Sequence, residues 1–266
     1  MVPDRMGDLV TKMGRLEEAL AYHRKEQAIL EALVGAPGAG SKFKPALSIC
    51  YKKLGAVLEE AGRVSEALEK IRQAMSIDEA LAAAEPTNVA RKRDLSIGCV
   101  YLGDMLASMG NVAGSLERYR QALALDEALA AEDSANAESR RFLSFSCMKV
   151  GKALSEQGKF SEARKRYARA VAITEDLARL KPEDVSARAD VAESYASFGS
   201  LHEKIAAAAT DRAAARRSWL GARSWYKRSQ DIWLELRKNN KLIGIYDVKP
   251  RETADAILRC EAALSK

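Results

Sequence analysis

Apolar residues along this chain return at steps of three and four rather than two, a pattern that belongs to helices and not to strands. Between Asn88 and Gly110, the stripe Leu95, Cys99, Leu102, Leu106 and Met109 occupies one face of a 3.6-residue helix. The glycine at its end accepts the left-handed conformation that stops a helix. A turn of a few residues follows. A second stripe, Leu116, Tyr119 and Leu123, then runs into alanines and stops near Ser134. The pattern predicts two antiparallel helices of roughly 20 residues, about 30 Å long each, joined by a short turn.

This pair recurs along the chain. Gly7, Gly55, Gly103, Gly151 and Gly199 are spaced by 48 residues, and Gly14, Gly62, Gly110 and Gly158 repeat the step seven positions later. Asn88, Asn136 and Asp184 keep the same step, each an N-cap residue type ahead of a helix. Pro86 and Pro182 stand where Ser134 stands and mark the corner between repeats. A fixed period of this size means a solenoid, in which each unit buries its apolar face against its neighbours. The expected fold is all-α, a right-handed superhelical solenoid of antiparallel helix pairs. The mid-helix glycines cost about 1 kcal/mol each relative to alanine. Their recurrence predicts a close approach by the neighbouring helix that leaves no room for a Cβ.

The repeat resembles the tetratricopeptide repeat, whose pattern sets a large apolar residue before glycine, another three later, then Ala, an aromatic and Ala. Here the second repeat reads Leu54, Gly55, Leu58, Ala67, Ile71, Ala74, and the third Leu102, Gly103, Leu106, Ser115, Tyr119, Ala122. The fourth reads Val150, Gly151, Leu154, Ala163, Tyr167, Ala170. That family's usual repeat has 34 residues, and the 14 added here are two heptads, which lengthen each helix by about two turns without rotating its face. Long repeats with stretches such as Leu125-Asp-Glu-Ala-Leu-Ala-Ala are similar to arrays attached to bacterial serine/threonine kinases and to kinesin light chain.

The two ends of the array depart from the pattern. The first repeat begins almost at its glycine (Met6-Gly7), and the fifth regains register at Ala222 and Tyr226 only after an 11-residue insertion around Ala206 to Arg216. The insertion is expected to extend the two helices and their turn. Residues 1–240 are thus read as five repeats, the first truncated, and 241–266 as a connecting segment and a capping helix. That helix, roughly Glu252 to Leu264, sets Ala254, Ile257, Leu258 and Ala262 on one face. The truncated start is expected to leave Val10, Leu16, Leu20 and Ile29 exposed, an edge for an upstream segment, a partner or a second copy.

Composition sharpens this reading without redirecting it. An apolar share of 47% with only six prolines favours a helical core. A net charge of +6 is a mild bias towards acidic partners, short of a nucleic-acid signature. Cys50, Cys99, Cys147 and Cys260 include no pair at metal spacing; Cys99 and Cys147 differ by 48 and read as small apolar residues of one repeated helix. Reduced thiols, no signal-peptide core at the start and no membrane-length apolar run suggest a soluble, cytoplasmic chain.

Candidate chemistry is sparse. Gly35-Ala-Pro-Gly-Ala-Gly40-Ser41-Lys42 has the look of a phosphate loop but exchanges its Lys and Ser, and it follows a helix where that motif follows a strand. It falls at the corner between the first two repeats. His23 and His202 occupy packing positions without metal-ligand neighbours. Trp219, Tyr226 and Trp233, spaced by seven, form a core stripe; Trp225 lies off it and is a candidate partner contact. No catalytic constellation, metal site or cofactor motif emerges.

The first helix of each unit lines the concave face in this family, and its N-terminal half is basic here. Lys42 and Lys44, Arg91, Lys92 and Arg93, Arg140 and Arg141, and Arg188 populate it, with Arg93 and Arg141 equivalent. Stacked copies would present guanidinium groups to carboxylates or phosphates, with Lys52 and Lys152 further along the same helices. The alternative is a solvated face paired with nearby glutamates. The family's clamp for a C-terminal carboxylate uses Lys and Asn. The matching positions hold Lys52 and Ala56, Val100 and Asp104, then Met148 and Lys152, so the Asn is missing throughout. The sequence therefore points to a non-catalytic scaffold for a protein or peptide, acidic or phosphorylated, with Lys52, Arg93, Arg141, Lys152 and Trp225 as contacts and neither nucleic acid nor membrane as partner. The alternative is a C-terminal regulatory region of a larger bacterial signalling enzyme such as a serine/threonine kinase.

Overall fold

The computed structural model describes residues 15–38, 40–239 and 246–265. Gly7, Gly14 and Val10 therefore lie outside the described residues. Ten α-helices appear among those described: α1 (Leu16–Gly35), α2 (Gly40–Glu60), α3 (Val64–Ala84), α4 (Val89–Ser108), α5 (Val112–Glu132), α6 (Ala137–Glu156), α7 (Phe160–Leu180), α8 (Val185–Ala208), α9 (Arg212–Lys238) and α10 (Lys249–Leu264). No strand occurs among the described residues.

Local chemistry fixes the helix ends where the periodicity predicts. Asn88 Oδ1 accepts from the backbone N–H of Ala90, Asn136 from Ser139, and Asp184 from Ser186 and Ala187. Each satisfies a donor that the first turn leaves orphaned. At the other end Gly62, Gly110 and Gly158 hold φ of +75°, +77° and +72°. The next residue's N–H reaches back five positions, as Arg63 to Leu58, Asn111 to Leu106 and Lys159 to Leu154, which closes a Schellman turn.

The residues cluster into two compact units, 1–129 and 130–266. In the first, α2 packs on α3, and Leu54, Val57, Leu58, Ile71 and Met75 share a core with Cys99, Leu102 and Met105 of α4. A Cβ built on Gly55 would sit 2.5 Å from Ile71, and one on Gly103 2.5 Å from Tyr119. Deeper in the same pairs, Ser48 Oγ donates to Asp78 at 2.5 Å and Ser96 Oγ to Asp126 at 2.8 Å. The contacts 48–78 and 55–71 are nested, as are 96–126 and 103–119, which is the geometry of an antiparallel pair. At the start of the array Leu20 is buried, Leu16 half-buried and Ile29 exposed. The segment from Gly35 to Lys42 closes α1 and opens α2, with Ala39 outside the described residues, so helix precedes it and no phosphate-loop context exists.

The second unit follows the same rule. Gly151 faces the ring of Tyr167 and Gly199 the ring of Tyr226. The last contact spans 27 positions instead of 16, so the insertion leaves the packing register intact. It lengthens α8 to 24 residues and α9 to 27, against 20 and 21 in their counterparts α6 and α7. Trp233 is fully buried, Tyr226 is buried and Trp219 half-buried, as their seven-residue spacing implies.

The capping helix α10 starts at Lys249, with Pro250 in its first turn, and packs on α9. Its buried face differs from the expected one. Pro250, Thr253, Ala256, Ile257 and Cys260 face inward, while Leu258 is 61% exposed. Of these, Ala256, Ile257 and Cys260 meet Ala222 and the ring of Tyr226. Choosing the stripe by apolar size alone had placed Leu258 inside.

Two substitutions test the glycine contacts. Alanine at Gly103 brings its Cβ to 2.5 Å from a ring that Asp104 holds through the Tyr119 hydroxyl; at Gly151 the closest approach is 3.1 Å. Alanine gains about 1 kcal/mol of helix propensity at either site. We expect Gly103→Ala to destabilise by ~1–2 kcal/mol net and Gly151→Ala to be near neutral. Urea unfolding with the two variants in the opposite order would show that the rings do not set the helix separation.

Candidate functional site

The basic positions of the first helices are mostly committed to partners within the fold. Lys52 is 4% exposed; its ammonium lies 2.6 Å from Asp78 and donates to the Asp94 carbonyl at 3.0 Å. Lys52 is an interior cation and not a surface contact. Burial raises the pKa of Asp78, and the Lys52 charge and the Ser48 hydroxyl oppose that shift. Arg140 pairs with Asp176, which Arg179 also holds, and Arg188 pairs with Glu235 at 2.5 Å. The Asp176 carboxyl is accordingly held below its usual range, first by Arg140 and then by Arg179.

Arg141 grips Asp190 in a bidentate pair, Nε at 2.5 Å and Nη2 at 3.0 Å, which raises the guanidinium pKa further. Arg93, half-buried, stands at the start of α4 in the first unit. Lys152 is exposed on α6. Trp225 is half-buried, 4.7 Å from Phe198 and 5.4 Å from Tyr195 between ring centroids. The Arg228 guanidinium covers Trp225 at 4.5 Å and Tyr195 at 4.0 Å while bonding Glu175. These contacts tie α7, α8 and α9 together, so Trp225 is built into a stack rather than displayed as an open patch.

Among the five candidates, Arg141 lines a groove. A depression of about 350 Å³ in the second unit is formed by α6, α8 and Tyr246. Phe142, Phe145, Met148 and Tyr246 give it an apolar wall, and Phe145 is 41% exposed. The Tyr246 ring stacks on Trp233 at 5.5 Å, which fixes it as one side of the groove. Glu138, Asp190 and Glu193 add three carboxylates to the lining, of which Asp190 holds the Arg141 guanidinium. Lys249 approaches Glu193 at 3.6 Å from outside the groove. Burial and then Glu193 and Asp190 raise the Tyr246 pKa, so its hydroxyl stays protonated near neutrality and can donate.

Phe142, Phe145 and Tyr246 were missed by the sequence reading. The two phenylalanines lie three apart on α6, the i,i+3 spacing of one helix face, and that signal was available. Tyr246 follows the insertion and the connecting segment, where no periodicity places it.

The histidines hold no metal geometry. Among the described residues no group of three His, Cys, Asp or Glu side chains converges. His23 is buried with Nδ1 3.2 Å from Glu26. His202 stands against Phe198, with centroids 5.6 Å apart. The cysteines are buried thiols, and burial pushes those of Cys99 and Cys260 up to about 11. No helix among the described residues is long and apolar enough to cross a membrane.

Comparison with known proteins agrees with this geometry. Residues 146–178, the second half of α6 and most of α7, match the tetratricopeptide repeat family model. No curated protein matches the chain by sequence. Among solved structures, BtubC (BKLC) from P. vanneervenii is similar at a TM-score of 0.55 and 17% identity, over 94% of this chain and 92% of that one. A kinesin light chain-like protein of Podosopora anserina with nearly identical TPR-like repeats is similar at 0.53 and 18%, over 86% and 95%. The fold is therefore that of tetratricopeptide-type solenoids.

Two expectations follow. Lys52→Met should cost about 3–5 kcal/mol by stranding the Asp78 carboxylate, and adding Asp78→Asn should restore much of it; equal urea midpoints for the single and double variants would refute the buried pair. Burial, then Arg164, lowers the His202 pKa below its usual 6.5. The unfolded chain therefore takes up a proton that the folded chain resists. Stability from this site is complete above about pH 7 and falls as pH drops through 6.5 towards the lower folded value. His202→Gln should lose less stability than the parent between pH 7.5 and 5.5, measured by urea titration.

Proposed function

We propose that this chain is a protein-binding scaffold of the tetratricopeptide type, without chemistry of its own, and that the groove between α6 and α8 receives a peptide segment. The observation that carries the reading is a partly exposed aromatic wall bordered by charges whose pairing is already set. Phe142, Phe145, Met148 and Tyr246 offer apolar area, and the rim groups fix orientation, the usual division of labour at a recognition surface.

The charge at this rim disfavours an acidic ligand. Arg141 already satisfies Asp190, while Glu138 and Glu193 add negative potential. A ligand that fills the wall with an aromatic or aliphatic side chain and brings a lysine or arginine beside it fits best. The pairing of Arg140, Arg141 and Arg188 with Asp176, Asp190 and Glu235 supports treating the basic ledge as a network that orders the repeats. Any acidic preference of the chain then has to reside elsewhere.

Selection from a random peptide library displayed on phage tests this reading. Peptides with an apolar residue adjacent to a basic one should be enriched, and Phe145→Ala with Met148→Ala should weaken them at least tenfold, about 1.4 kcal/mol. Enrichment of acidic peptides, or binding untouched by the double substitution, would move the site away from this groove.

A further inference from the structure

The positive charge of the chain is unevenly distributed. Residues 1–129 hold 17 Lys and Arg against 18 Asp and Glu, whereas residues 130–266 hold 26 against 19. Within the second set α9 stands apart, with eight cations and two carboxylates along its 27 residues. From Arg212 through Gln230 it has six cations and no acid at all. Two carboxylates from outside this stretch meet it, the N-cap Asp211 at 4.0 Å from Arg217 and Glu175 of α7 at 3.1 Å from Arg228, so cations still outnumber their partners.

Position along the helix makes the placement more costly. Arg212, Arg216 and Arg217 occupy the first turns of α9, where the macrodipole is already positive. These arginines lie within or beside the insertion that breaks the 48-residue period. Relative to their counterparts, α8 gains four residues and α9 six, so this hairpin projects further by roughly 6–9 Å. None of residues 207–218 is buried. The insertion therefore adds little to the core; it adds an alanine surface carrying guanidinium groups.

At about 100° per residue, Arg212, Arg216, Arg223, Lys227, Leu234 and Lys238 fall within roughly 80° of one another on α9. Arg212, Arg216, Lys227, Leu234 and Lys238 are exposed, and Arg223 is half-buried beside α10. This face is distinct from the groove, which α6 and α8 form.

We propose that the projecting tip and cationic stripe of α9 form a docking surface for an acidic segment of a protein partner. Charge complementarity identifies the occupant. Asp211 supplies one carboxylate at this tip, capping α9 beside Arg217; further carboxylates would relieve the remaining repulsion among the arginines, which can hold them bidentately. The exposed Leu234 and the alanine methyl groups within the surface favour a polypeptide over nucleic acid. A peptide can cover them with apolar side chains, whereas a phosphate backbone leaves them in a polar contact.

Fluorescence anisotropy on the full chain tests this with two probes, a labelled 20-residue oligoglutamate and a labelled 20-nucleotide oligothymidylate. Oligoglutamate should bind at low salt, weaken steadily as salt rises, and lose at least tenfold in affinity with Arg212→Gln, Arg216→Gln and Arg217→Gln combined. The corresponding Arg→Lys triple, which keeps the charge but not the bidentate geometry, should bind more tightly than the Gln triple and more weakly than the parent. The Arg→Lys triple should keep the parent's urea midpoint and the Gln triple should keep or raise it, because the charges at this helix start are unfavourable; a midpoint drop in the Gln triple alone would mean the arginines serve the fold and would overturn the proposal. Tighter binding of oligothymidylate than of oligoglutamate, or full affinity in the Gln triple, would also overturn it. Groove substitutions such as Phe145→Ala should leave oligoglutamate binding unaffected, which separates this surface from the peptide groove.

Discussion

The structure depends on one steric contact, made four times: a mid-helix glycine that admits a large side chain from the partner helix. Gly55 takes Ile71, Gly103 Tyr119, Gly151 Tyr167 and Gly199 Tyr226. Each contact fixes how closely and at what level two antiparallel helices meet, and the other internal contacts nest around it. The fourth contact keeps its geometry although 11 more residues separate its members. Added chain must then emerge at the turn and cannot enter the core. The extension of α8 and α9 follows from that constraint, and so does its exposure.

A second periodic feature is polar. Ser48 with Asp78 and Ser96 with Asp126 repeat one buried hydrogen bond at the same place in successive pairs. Burying carboxylates is costly unless they are paired, and the first copy has Lys52 for that purpose. In the fifth repeat the equivalent places hold Ala192 and Trp233, which share one apolar cluster. One backbone arrangement thus accepts either a polar or an apolar filling. The repeat tolerates this because the glycine contact, not the filling, sets the helix separation.

Much of the architecture was legible in the sequence because it rests on local rules. Glycine at C′, Asn or Asp at the N-cap and apolar residues at steps of three and four are read within a few positions, and all three predict the helices found. The basic ledge was less legible. Arg140 finds Asp176 36 positions on, Arg188 finds Glu235 at 47 and Arg141 finds Asp190 at 49. No local charge pattern foretells partners at that distance. Lys52 went astray for a related reason, since a lysine on a helix reads as exposed until a buried carboxylate on the next helix is known. In the capping helix, size misled: Ala256 and Cys260 fit against Ala222 and Tyr226, while Leu258 faces outward.

The same distinction separates structural charge from charge available for recognition. An arginine whose carboxylate lies across a helix interface, as Arg141 and Asp190 do, has spent its bidentate geometry on order within the protein. Replacing Asp190 as its partner would require a ligand to outcompete an intramolecular group already held in place. On α9 six cations follow one another from Arg212 to Arg228 with no carboxylate on the helix between them; Glu175 holds Arg228 and the N-cap Asp211 lies 4.0 Å from Arg217, and most of the six lie on exposed turns. A sequence gives both sets the same letters. Pairing across the fold assigns the first set and Arg228 to architecture, and the surplus of cations over carboxylates directs the search for an acidic partner to α9.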